Sequence, residues 1–98
     1  MTLSNVERGF LEKLIDDEIK GMKGTIDIAR DEKNKKEWQI QDDGDFALGW
    51  ALSTIFNNFV HYISNIHQKR IDQVDIEQAI EIITKRVREI KEAIFKCG

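Results

Sequence analysis

The chain has 98 residues, 41% of them hydrophobic and 34% charged, and 15 basic against 18 acidic side chains leave a net charge of −3 at pH 7. That length is one domain's worth, and a domain so small buries only about 60–65% of the surface its unfolded chain exposes, so its stability is thin unless partners contribute. The charge balance excludes a global attraction to nucleic acid or anionic lipid, and the single cysteine, Cys97, excludes an intramolecular disulfide.

One penultimate cysteine suits a reducing compartment. Residues Met1–Glu7 carry no basic segment followed by an apolar run and a cleavage site, so the expected location is cytoplasmic. Proline is absent, which removes the strongest obstacle to long helices. An all-α fold is the expectation.

The first helix is predicted over residues 5–30. Ser4 and Glu7 have the spacing of a capping box, in which each side chain accepts from the other's backbone amide. Leu11, Ile15, Ile19, Met22, Ile26 and Ala29 then recur at gaps of three or four, with Phe10 and Leu14 widening the stripe. Gly21 and Gly24 each cost roughly 1 kcal/mol inside a helix relative to alanine. They mark either a kink or a close helix contact.

Residues 31–44 are expected to connect. Asp31 to Lys36 includes no apolar side chain, and Asp42-Asp43-Gly44-Asp45 favours a turn followed by a helix start near Asp45. The aspartates do not make a calcium loop, because the twelfth position counted from Asp42 is Ser53 where that loop needs glutamate.

A second helix is predicted over 45–69, and it differs from the others: no formal charge occurs from Phe46 to Gln68. Leu48, Leu52, Ile55, Phe59, Ile63 and Ile66 form one seam, beside a strip of small residues at Ala47, Ala51 and Thr54. An element apolar over more than half its circumference belongs at the centre of a bundle. Its length would span a bilayer. Asn57, Asn58, His61, Asn65, His67 and Gln68 argue against that, since amides in hydrocarbon need partners.

The third helix is predicted over 75–96, capped by Asp75 with Gln78 closing the box. Ile76, Ile80, Ile83, Val87, Ile90, Ile94 and Cys97 fall at alternating gaps of four and three, a heptad seam suited to packing along another helix.

No catalytic constellation emerges. His61 and His67 are six apart, which turns them to different helix faces, whereas a metal pair needs three or four. Neither a metal nor another cofactor is expected. Asp16-Asp17-Glu18 and the Glu89/Glu92 pair read as solvated charge, and Cys97 has no neighbouring histidine to activate it. The sharper feature is a polar, uncharged stripe of Ser53, Asn57, His61, Ser64 and Gln68. Three readings stay open for it: a wet face that lacks charge, a hydrogen-bonded network buried at an interface, or a ligand groove.

Residues 69–80, Lys-Arg-Ile-Asp-Gln-Val-Asp-Ile-Glu-Gln-Ala-Ile, resemble the second loop and third helix of histone-fold proteins. The resemblance covers this stretch alone. It implies a handshake dimer and DNA contacts near Arg70. Asp72 stands where that family has a threonine, and the first and third helices run longer, so the chain is not assigned to the family. A nucleic-acid contact set would comprise Lys33, Lys35, Lys36, Trp38 and Arg70, with Asp31, Glu32 and Glu37 cancelling much of its field.

The expectation is therefore a three-helix, all-α domain over residues 1–98 that forms a homodimeric helical bundle and acts as a non-catalytic interaction or assembly module. Its interface residues would be Leu48, Leu52, Ile55, Phe59, Ile76, Ile80, Ile83, Val87, Ile90 and Ile94. The alternative is a small nucleic-acid-associated helical protein.

Overall fold

Ser4 opens the first helix as its spacing from Glu7 predicts: the Glu7 amide donates to Ser4 Oγ at 3.1 Å and the Ser4 amide to Glu7 Oε1 at 2.8 Å. The computed structural model describes residues 2–66, 68 and 70–98. Among them every regular element is a helix: α1 (Asn5–Lys20), α2 (Met22–Arg30), α3 (Glu32–Glu37), α4 (Asp43–Asn65), α5 (Gln73–Lys85) and α6 (Val87–Lys96).

The expected count of three is thus corrected to six, through three separate causes. The helix over 5–30 breaks at Gly21, whose backbone (φ −90°, ψ 11°) leaves the helical region. A Cβ built at Gly24 would meet nothing within 4 Å, so the glycine pair marks a kink and not a close contact. The connector contains α3, a short helix with no buried residue. Its hold is polar: Asp31 Oδ1 accepts from the Asn34 amide at 3.0 Å, and Asn34 Nδ2 donates to Ile28 O at 3.1 Å. The helix over 75–96 breaks at Arg86, which caps α5 and starts α6.

Two caps also move. α4 starts ahead of Asp45, because Asp42 Oδ1 accepts from the Asp45 amide at 2.9 Å. α5 starts at Gln73, because Asp72 and Asp75 form a reciprocal box, with the Asp75 amide 2.9 Å from Asp72 Oδ1 and the Asp72 amide 3.3 Å from Asp75 Oδ2. Gln78 is left to accept from the Leu3 amide at 2.9 Å, tying the N-terminal segment to α5. At its far end α4 stops at Asn65, with Gln68 at φ +51°. The expected end at Lys69 lies outside the described residues.

α4 runs through the middle and packs against α1, α2 and α6, while α5 lies mainly on α1. Ala47 and Ala51 are fully buried, and their small side chains let neighbouring backbones come close to α4. Around them Leu11, Ile15, Met22, Ile26, Ile55, Phe59, Ile63 and Ile90 complete the core. Phe10 of α1 stacks on Tyr62 of α4 with ring centroids 3.8 Å apart.

Two substitutions test this reading of the backbone. Gly24→Ala places a methyl group in open space within a helix, so it should stabilise the fold by about 0.5–1 kcal/mol and raise Tm by roughly 2–8 °C. Gln39 follows α3 at φ +54°, and Ile40 donates back to Lys35 O at 3.0 Å, a Schellman-type ending with glutamine in the left-handed position. Gln39→Gly should therefore stabilise by about 1 kcal/mol, read by urea unfolding. An unchanged midpoint would contradict the strained φ.

Candidate interaction surface

The residues expected at an interface divide by burial. Ile55, Phe59, Ile83 and Ile90 are buried within the chain's own core, so they support a surface from behind and cannot present one. Leu48, Leu52, Ile76, Val87 and Ile94 are half-buried and Ile80 is 52% exposed. Because α4 packs closely on α6 but not on α5, a groove opens between α4 and the α5–α6 pair. Leu52 and Phe56 form one wall, Ile80, Thr84 and Val87 the other, and Ile83 the floor. The surface continues along α6, where Leu48, Lys91, Ile94 and Phe95 line a second depression; Phe95 is 86% exposed.

Arg86 fixes the far wall. Its Nε and Nη2 clasp Glu89 at 2.9 and 3.0 Å, Nη2 also reaches Asp16 Oδ1 at 2.6 Å, and Nη1 donates to Glu12 Oε1 and Glu12 O at 3.0 and 3.2 Å. The fork thus ties the α5–α6 turn to α1 in a planar, multi-point geometry that lysine could not reproduce. These carboxylates raise the Arg86 pKa still further, Glu89 most, with burial opposing. In return the Arg86 guanidinium holds the Glu89 carboxyl below its usual range.

The uncharged stripe lies in the open: Ser53, Asn57, His61 and Ser64 on α4 are exposed, whereas Gln68, also exposed, falls beyond the end of α4 at φ +51° and so drops out of the expected helix face. Asn57 Nδ2 donates to Ser53 Oγ at 3.2 Å, and Asn65 Nδ2 donates to His61 O at 2.9 Å with His61 Nδ1 3.1 Å away. Within one chain it is a solvated face. His67 lies outside the described residues, among which no group of three or more His, Cys, Asp or Glu side chains could hold a metal. No helix among them is long and apolar enough to cross a membrane.

The nucleic-acid set is divided. Lys33, Lys35, Lys36 and Trp38 precede the N-terminal end of α4, Arg70 follows its C-terminal end, and the 23 residues between span about 34 Å. Lys35 is further committed to Asp43 at 3.0 Å, which Arg30 also approaches at 3.5 Å. Trp38 instead stacks on Phe46 and Trp50, which tilt against each other, in a group with centroids 5.8–6.4 Å apart. Sequence reasoning missed this cluster, although the four-residue spacing of Phe46 and Trp50 was a signal for it.

Compared with family models, curated proteins and solved structures, the chain matches none. The histone-fold resemblance therefore stands on residues 69–80 alone, where Asp72, the residue that departs from it, is the N-cap of α5.

The Arg86 clasp predicts a pH dependence. A carboxylate whose folded pKa is depressed adds stability that is present above its unfolded pKa and is lost as pH falls through the folded value. Glu89 is one such group, and Asp72, held down chiefly by the Asp75 amide, is another. Tm of the wild type should fall as pH drops from about 5 to about 3. Glu89→Gln should lower Tm at pH 7 and flatten that fall, leaving the Asp72 contribution. Parallel Tm curves for the two proteins would remove the clasp as a source of stability.

Proposed function

We propose that the chain is a non-catalytic helical assembly module that pairs with a second copy of itself through the α4/α5–α6 groove. The open groove carries this reading. A domain of 98 residues has little apolar surface to spare, yet here Ile80 and Phe95 are 52% and 86% exposed, with Leu48, Leu52, Phe56 and Val87 half-covered in the two depressions they line. Neighbouring apolar depressions with a charged border are the pattern of a contact that is completed by association. A small self-associating module with one unpaired cysteine fits a reducing compartment such as the cytoplasm.

Light scattering at 10–100 µM, concentrations at which a dimer of about micromolar Kd is populated, should give twice the chain mass. Ile80→Asp puts a charge into the groove wall where one chain alone leaves the side chain half in water. It should weaken the dimer by about tenfold to a hundredfold while changing monomer stability by only about 0.5–1 kcal/mol. A wild type that stays monomeric across that range would end the proposal.

A further inference from the structure

One row of exposed residues crosses both helices of the groove's far wall. Val74, Glu77, Glu81, Thr84, Arg88, Lys91 and Phe95 are spaced alternately three and four apart, and all of them are exposed. The turn at Arg86 does not throw the row out of phase: Ala79, Ile83 and Ile90 are buried on its two sides, so the inward face persists across it, and with it the outward face. Thr84 lines one depression with Leu52 and Phe56 of α4, and Lys91 and Phe95 line another with Leu48 of α4, so the middle and the C-terminal half of the row border the same helix.

Read in order, the row is apolar, acidic, acidic, threonine, basic, basic, apolar. That order is its own complement when reversed. We infer that the second copy lies antiparallel along α5 and α6 about a two-fold axis at Thr84, with Glu77 facing Lys91, Glu81 facing Arg88 and Val74 facing Phe95 of the other chain. A parallel arrangement would set each of these charges against its own copy, which costs affinity and so selects the antiparallel register. Thr84 suits the axis because its hydroxyl donates to Ile80 O at 2.6 Å within its own helix, so covering it strands no donor. Glu81 reaches Lys85 only loosely, at 3.5 Å with both side chains about 70% exposed, and is available for exchange. The row is about 32 Å long and about 10 Å wide, less than the roughly 800 Å² per partner of a stable interface. The α4 wall of Leu48, Leu52 and Phe56 must therefore be covered as well, and it borders the same grooves.

This inference rests on the homodimer reading, and paired charge reversal separates the two. E77K/E81K and R88E/K91E are each expected to weaken self-association by about tenfold or more, because every cross-pair becomes repulsive. Mixing the two variants should restore dimer, since the all-basic and all-acidic rows then face each other; this rescue also shows that both variants are folded. Thr84→Cys in a Cys97→Ser background should form a disulfide-linked dimer on mild oxidation, which needs the two Cα atoms within about 7 Å. A wild-type dimer that persists in both charge variants, with no cross-link at Thr84, would overturn the antiparallel pairing and leave the assembly reading in place. Monomer alone at all concentrations would remove both.

Discussion

The structure turns on Arg86. α5 and α6 meet at a break at Arg86, and α4 packs on α6 rather than on α5. The guanidinium at that break reaches to α1, where Glu12 and Asp16 receive it, and Glu89 clasps it from the next turn. The cost is a one-residue break in the backbone hydrogen bonding, bridged by Arg86 N to Ile83 O at 2.9 Å and Ile90 N to Arg86 O at 3.2 Å. Exposed ion pairs are individually weak. This one differs because a single fork meets three carboxylates, so the entropy of ordering the arginine is spent once for several bonds.

The consequence is an asymmetric contact pattern around α4. α6 settles on it, α5 is drawn towards α1, and the wedge between them is lined by whatever apolar side chains pointed that way. Ile83 and Ile90 end up in the core while Ile80, from the same seam, stays half in water. A heptad row is therefore not one surface here. Its members share a helix face, but the divergence of the neighbouring helix decides which of them are covered by the chain itself.

The all-α class, the Ser4 start and the central position of α4 were legible in the sequence because each follows from local pattern: cap spacing, period, and the uncharged run with its alanines. The breaks were not. Spacing of three and four is preserved across both Gly21 and Arg86, so periodicity does not register a one-residue turn. α3 escaped for a different reason: it has no apolar side chain to be periodic, and Asp31 and Asn34 hold it through polar bonds. With Asp72 and Asp75 both able to cap, sequence alone favoured the wrong one, whereas full burial of Asp75 shows that the second aspartate closes the box from inside.

The polar stripe and the charged row invite opposite conclusions from the ones composition suggests. Amides without charges look like something hidden, yet Ser53 and Asn57, and His61 and Asn65, satisfy one another in pairs on an open face. Such pairs gain nothing by being covered, because each bond already made would have to be kept and each remaining lone pair newly matched. The row on α5 and α6 looks like ordinary solvated charge, but its acids and bases are segregated end to end rather than interleaved, and it borders uncovered isoleucine, leucine and phenylalanine. In the proposed dimer, apolar area would supply the drive to associate and charge order the register; of the two faces, only this one holds both.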